Sequence, residues 1–330
     1  MGKLLITGAS GFIGSALARH FHSLGGELVL FVRNKAKLPD DLSASSRVTV
    51  VEGDITDEDA VLRALDGVDK VVHCVVHPDN FNRELARRIN VGGTRNLLRA
   101  ARGRQAAHVV VLSTCAVYGL YTVGEVKENA PLVPSNDVYC DTKIEMERLC
   151  LARSDSGFPV TILRIPSVYG PGSTLWTRDL GDMLLERKFP LIGGGSGAFA
   201  CVYIDDLVDA VSLVLREREA HGEVFNVIGE QSTLKAFVAG YCRALGAPQP
   251  RSVPGWAARA FAHVLAFAAK VKGQPPAIHP KTIDMLTIQA TYNGDKLRSL
   301  GWRPKTSLGQ GLARSAEWYR TYASTMRESG

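Results

Sequence analysis

Tyr139 and Lys143 lie four positions apart at the start of Asp137–Ala152, a segment whose amphipathic pattern predicts a helix. That spacing puts a phenol and an ammonium on one helical face. A tyrosine with its usual pKa of ~10 exchanges protons poorly at neutral pH. A cation one turn away favours the phenolate, lowers that pKa and suits the group to proton transfer with a substrate hydroxyl. Alone, Tyr-x-x-x-Lys is common on protein surfaces, so the pair needs a companion.

That companion is Thr7-Gly8-Ala9-Ser10-Gly11-Phe12-Ile13-Gly14, with glycines at i, i+3 and i+6 between a strand-like run and a helix-like one. Such a loop lets backbone approach a pyrophosphate and aims helix N-terminal amides at its charge. Gly8, Ser10, Gly11, Phe12, Ile13 and Gly14 are therefore the expected contacts of a dinucleotide. NAD-binding folds usually end the second strand with Asp or Glu for the ribose 2′-hydroxyl. Here the run is Phe31-Val32-Arg33-Asn34-Lys35, without a carboxylate. Arg33, joined by Lys35 or Lys37, suits a 2′-phosphate and favours NADP over NAD. The alternative is an Arg33 in water, stacked on the adenine.

The elements that must position these groups are legible as alternation. Leu4–Thr7, Leu28–Val32, Val48–Val51, Lys70–Val75, His108–Leu112 and Val160–Ile165 are apolar runs without polar alternation, as expected of parallel strands covered on both faces. Between them Phe12–Leu24, Asp57–Leu65, Arg83–Ala101 and Asp137–Ala152 read as amphipathic helices. This βαβ repetition predicts an α/β fold, a Rossmann-type doubly wound parallel sheet. After Tyr169-Gly170-Pro171-Gly172 the rhythm breaks, and Gly193–Gly197 reads as a mobile loop or turn. Val202–Leu215 reads as a strand end and helix, Val224–Ile228 as a strand, and 229–330 as mostly helical. The expected division is a dinucleotide-binding domain over 1–170, rejoined by 201–228, and a smaller C-terminal substrate lobe from 171–200 and 229–330.

Composition narrows the class of ligand. The 330 residues are 45% apolar and 22% charged, with a formal charge of +6 and no continuous Lys/Arg block. An anionic cofactor accounts for that balance, and no nucleic-acid partner is expected. Six cysteines without a C-x-x-C pair read as reduced thiols rather than disulfides or metal ligands. No apolar run reaches the ~20 residues of a membrane span, and the N-terminus shows no secretory h-region. A cytoplasmic enzyme is the expectation, with no metal.

With the glycine loop and Tyr139/Lys143, several further stretches resemble the extended, epimerase/dehydratase-like branch of the short-chain dehydrogenase/reductase superfamily. They are Gly53–Asp57, Asn90–Leu98, Leu112–Gly119, Val202–Leu207 and Leu300–Pro304, so the likeness runs through nearly the whole chain. The resemblance implies that Tyr139 is the acid–base and that Lys143 binds the nicotinamide ribose while acidifying Tyr139. It puts Thr114 at the position whose hydroxyl orients the substrate oxygen. It assigns Asp54 and Ile55 to the adenine, the backbone around Cys74 and Val75 to the cofactor wall, and Pro166 and Val168 to the flanks of the nicotinamide. Asn90 either supports the site or simply packs a helix. A homodimer through Arg83–Ala101 and Asp137–Ala152 is implied as well.

Departures from the branch discriminate among its chemistries. Dehydratases of the branch carry Asp-Glu directly after the site threonine, where this chain has Cys115 and Ala116. Sugar-nucleotide epimerases place Asn at the position of Ser167 and Arg at that of Phe199. Losing that Arg removes a charge-assisted hydrogen bond to a diphosphate, ~1.5–3 kcal/mol. The apolar segment from Val253 to Gly273 resembles the C-terminal lobe of hydroxysteroid/sterol-type dehydrogenases. It would roof an apolar substrate pocket, touch a membrane surface peripherally, or pack within the lobe. The expected activity is NAD(P)-dependent interconversion of a secondary alcohol and a ketone or aldehyde in a small-molecule substrate. A nucleotide-sugar 4-epimerase or 4-reductase is the alternative.

Overall fold

The computed structural model describes residues 2–77, 82–119, 123–271, 283 and 289–328. The first half alternates β1 (Leu4–Thr7), α1 (Phe12–Ser23), β2 (Leu28–Val32), α2 (Asp40–Ser43), β3 (Val48–Glu52), α3 (Glu58–Ala64) and β4 (Lys70–His73). It continues with α4 (Arg83–Arg87), α5 (Thr94–Gly103), β5 (His108–Thr114), β6 (Val123–Val126), α6 (Val138–Ser154) and β7 (Val160–Ile165). Then come β8 (Ser167–Tyr169), α7 (Leu180–Leu185), β9 (Leu191–Ile192), β10 (Ala198–Tyr203), α8 (Ile204–Arg216), β11 (Val224–Asn226) and β12 (Glu230–Thr233). α9 (Leu234–Leu245), β13 (Ser252–Val253), α10 (Gly255–Val271), β14 (Gln289–Tyr292) and helices at Asp295–Ser299 and Leu308–Glu328 complete the described chain.

Seven strands form one parallel sheet in the order β11-β7-β5-β4-β1-β2-β3. Because side chains alternate across a strand, Leu4 and Ile6 enter one core layer with α1 and α8, while Leu5 enters the other with α3 and α5. Burial on both faces explains the absence of polar alternation: all seven residues of β5 are buried. The crossover reverses between β1 and β4, and in such sheets ligands bind at the carboxyl ends beside that point.

Two sequence readings need correction. The segment Arg83–Ala101 is not one regular helix: a wide π-type turn over Arg88–Gly93 separates α4 from α5. At Gly93 a Cβ would stand 2.5 Å from Cγ2 of Ile55, so the helix needs a bare residue there. Second, Cys201–Tyr203 does not return to the main sheet. β10 pairs with β8 and β12 in a separate three-stranded sheet, and Val224–Asn226 alone rejoins β7. Pro166, which lacks an amide donor, stands where β7 ends and β8 turns away. The described residues after 229 are mostly helical, as expected, with the short strands β12, β13 and β14 among the helices. Gly193–Gly195 form a turn in which all three glycines have positive φ, at 57°, 69° and 66°. The second sheet and α9 enclose an aromatic core in which Phe199, Trp176 and Phe237 are in mutual ring contact. Among the described residues no helix is long and apolar enough to cross a membrane.

Candidate active site

The loop after β1 is held tight by glycine. Gly8 has φ +68°, and a Cβ on Gly14 would lie 2.2 Å from the Gly8 carbonyl oxygen, so α1 can pack onto the loop only without one. The Gly11 amide donates to the Gly8 carbonyl at 2.9 Å, and Gly11 precedes α1 as a cap without a side chain, with no acid in the helix's first turn. Its first amides therefore face outward uncapped, the arrangement that receives a phosphate. They open onto a crevice of about 760 Å³. Of the residues predicted to hold a dinucleotide, Gly8, Ser10, Gly11, Phe12, Ile13, Gly14, Arg33, Asp54, Ile55, Cys74 and Val75 all line it. The bare glycine cradle, the amide cluster and the crevice at the carboxyl ends fit such a cofactor.

At the β2 end of the crevice Arg33 and Lys37 both line the wall, whereas Lys35 does not. Asn34 caps the turn that carries Lys37, accepting from the Ala36 amide at 2.9 Å. Burial pushes the Asp54 carboxyl up. The hydroxyl and amide of Thr56, together with the Arg33 and Arg88 guanidiniums, outweigh that and hold it below its ordinary value. Asn34, Val76, His77 and Ile89 line the crevice too, and no spacing in the sequence marks them.

Thr114 ends β5, and Tyr139 stands in the first turn of α6, which Asp137 caps by accepting from the Cys140 amide at 2.9 Å. The structure joins them: the Tyr139 phenol is hydrogen-bonded to the Thr114 side chain. Lys143, one turn on and 4% exposed, donates from Nζ to the Leu112 carbonyl at 2.8 Å. Its charge also acts on His73 and Cys74 of the crevice floor. Burial pulls this ammonium down to about 8 against the opposing pull of Glu147, Cys150 and Cys74.

The structure gives no acidification of Tyr139 by Lys143. Burial pushes its phenol up to about 12, and the Thr114 hydrogen bond opposes this. The ammonium is directed at the Leu112 carbonyl rather than the phenol, while loss of water penalises the phenolate directly. Thr114, Tyr139, Lys143, Pro166 and Val168 are not among the crevice-lining residues. Pro166 follows Ile165, the register partner of Thr114, and Val168 packs in the apolar cluster that also holds Phe12 and Ile13.

Two polar ties set α6 in place. Asn90, 1% exposed, accepts from the His77 amide at 2.7 Å and donates to Thr142 Oγ1 at 3.0 Å, linking crevice wall to helix. Glu147, one turn beyond Lys143, accepts from Arg164 Nε at 3.0 Å and from its terminal nitrogen at 2.7 Å, and also from the Ser113 hydroxyl. His73 is buried beneath the crevice between Thr7 Oγ1 at 2.7 Å and Thr94 Oγ1 at 2.9 Å. Burial holds that imidazole down to about 3.

Comparison with known proteins agrees with this architecture. The chain is 32% identical to a dTDP-glucose 4,6-dehydratase of Streptomyces griseus, over 97% of this chain and 95% of that protein. It is 25% identical to a 3 beta-hydroxysteroid dehydrogenase/Delta 5-->4-isomerase of Mycobacterium tuberculosis, over 97% and 90%. Among solved structures, DesIV (dTDP-glucose 4,6-dehydratase) of Streptomyces venezuelae, with NAD and TYD bound, superposes with a TM-score of 0.80. The two are 27% identical, with 98% of each chain covered. Residues 4–227 match the family model for NAD dependent epimerases and dehydratases. With its parallel sheet and glycine cradle, the chain is an NAD-dependent enzyme of the extended short-chain dehydrogenase/reductase type and belongs to the NAD dependent epimerase/dehydratase family.

Proposed function

We propose that the protein is an NAD(P)-dependent oxidoreductase that interconverts a secondary alcohol and a ketone or aldehyde, with the phosphorylated cofactor preferred. The observation that carries the reading is the Thr114–Tyr139 hydrogen bond beside the buried Lys143 ammonium. No carboxylate joins them where Cys115 and Ala116 follow Thr114. Water elimination from a sugar needs further acid–base groups at that place, and a thiol pushed up by burial does not supply them. Phe199, 8% exposed and in ring contact with Trp176 and Phe237, is a core side chain, so no cation for a nucleotide diphosphate stands there.

Gly8, Ser10, Gly11, Phe12, Ile13 and Gly14 bind the pyrophosphate, Arg33 and Lys37 the ribose phosphate, and Asp54, Ile55, Cys74 and Val75 the adenine side of the crevice. Lys143 Nζ holds the nicotinamide ribose, and Pro166 and Val168 flank the ring. The bound nicotinamide supplies the hydride acceptor or donor. Thr114 Oγ1 orients the substrate oxygen. Tyr139, protonated at neutral pH because its phenol is pushed up to about 12, donates its proton to a carbonyl oxygen in the reducing direction and recovers it in the oxidising one. A homodimer and cytoplasmic residence belong to the same reading.

The test is nicotinamide absorbance against a panel of ketones, hydroxysteroids and nucleotide sugars. A stoichiometric change with a ketone or secondary alcohol is expected, whereas turnover of a nucleotide sugar without net change would replace this reading with epimerisation. Tyr139→Phe should keep cofactor affinity and lose ~10²–10⁴ in kcat. Unchanged turnover removes Tyr139 from the reaction.

A further inference from the structure

Helix α10 is amphipathic in reverse. Its protein-facing side carries Ala258 and Ala262, which pack with Ile192 and Ile283. Its solvent side carries Trp256, Phe261, Val264 and Phe267, which are 76%, 59%, 64% and 71% exposed. At roughly 3.6 residues per turn, Trp256, Val264 and Phe267 fall on one stripe with Phe261 at its margin. The exposed Arg259 and His263 flank that stripe on the other side. A surface helix ordinarily buries its large apolar side chains and shows its small and polar ones.

Charge along this part of the chain is equally one-sided. Between Gln231 and Val271 the chain has Lys235, Arg243, Arg251, Arg259 and Lys270 and no Asp or Glu. Outside that stretch 34 basic residues stand against 33 acidic ones, so nearly all of the net +6 is concentrated there. Arg251, exposed, immediately precedes β13, which leads into α10. An aromatic apolar face flanked by arginine is the composition of helices that lie in a membrane interface. With no carboxylate in the stretch there is no alternation of sign for a protein partner to match, which suits a uniformly negative surface.

We propose that α10 seats this enzyme on an anionic lipid bilayer. Trp256, Phe261, Val264 and Phe267 enter the boundary between headgroups and acyl chains, and Arg251 and Arg259 meet lipid phosphates. The proposal stands apart from the redox reading, since the helix includes neither Thr114, Tyr139 nor any crevice residue, and its test reads vesicle binding, with cofactor affinity only as a check on folding.

The experiment is co-sedimentation of the full chain with vesicles of phosphatidylcholine alone and of phosphatidylcholine mixed equally with phosphatidylglycerol. Binding to the anionic vesicles should be stronger by about tenfold or more, the effect of two basic side chains near such a surface, and should weaken with added salt. The triple variant Trp256→Ser, Phe261→Ser, Phe267→Ser should stay in the supernatant with unchanged cofactor affinity. Equal binding to both vesicles, binding to neither, or undiminished binding by the triple variant overturns the proposal. Conversion of an oligomer to monomer by the triple variant, without vesicle binding by the parent, also overturns it and makes a second copy the occupant. Should the triple variant fold poorly, brominated-lipid quenching of tryptophan fluorescence decides. It should be strong in the parent and largely lost in Trp256→Phe, and equal quenching in both overturns the proposal.

Discussion

Neutralising Glu147 tests the buried pair that ties helix α6 to β7 and sustains the charge on Lys143. Glu147 and Arg164 are 0% and 2% exposed, and Glu147→Gln leaves the guanidinium uncompensated inside the protein. It also turns an amide NH₂ toward one of the nitrogens now bonded to the carboxylate at 3.0 Å and 2.7 Å. Breaking such a pair from one side costs about 3–5 kcal/mol. At ~2.1 cal/mol/K of unfolding entropy per residue the whole chain gives about 0.7 kcal/mol/K, so the thermal midpoint should fall by about 4–7 °C. Glu147→Leu with Arg164→Met should recover much of that loss, because the isolated charge is the chief penalty. The variant has a second signature. Glu147 is the strongest influence raising the Lys143 ammonium, which burial otherwise pulls down to about 8. Without that carboxylate the ammonium loses its proton at lower pH, so the alkaline decline of cofactor affinity should shift toward neutrality. Differential scanning calorimetry and fluorescence titration of the cofactor across pH read the two effects. A midpoint within about 1 °C of the parent, or an unmoved alkaline limb, refutes the reasoning.

Two further outcomes are expected. The parent should bind NADPH more tightly than NADH and Arg33→Ser should narrow the gap, and a parent preference for NADH in isothermal titration would remove the 2′-phosphate role of Arg33. His73 and His108 are held by burial down to about 3, whereas the unfolded chain protonates them near ~6.5. Between those values the unfolded state binds more protons, so stability falls as pH drops from about 6.5 toward 3. His73→Asn should remove up to ~1.4 kcal/mol per pH unit of that slope in denaturant melts, and an unchanged slope counts against a buried neutral imidazole.

The sheet and the cradle were legible in the chain because their causes are local. Runs of Val, Ile and Leu imply strands covered on both faces, and glycines at 8, 11 and 14 imply a loop tight enough for amides to converge. The four-residue spacing of Tyr139 and Lys143 likewise follows from helical geometry alone. Tertiary structure decided the rest. Whether the ammonium meets the phenol depends on Leu112, 31 positions away, whose carbonyl accepts its hydrogen bond. Whether the phenol is acidic depends on the burial around it, which pushes it up. Glu147 and Arg164 are 17 positions apart, and Asn90 reaches Thr142 across 52, partners that only the packing of α6 on the sheet brings within bonding distance. Pro166 parts β8 from β7 with a missing amide, and β10 follows β8 into a second sheet because its partner edge lies there. Local pattern specifies which groups are present and in what elements. Desolvation and long-range pairing determine their charge and direction, and neither exists until the chain has closed on itself.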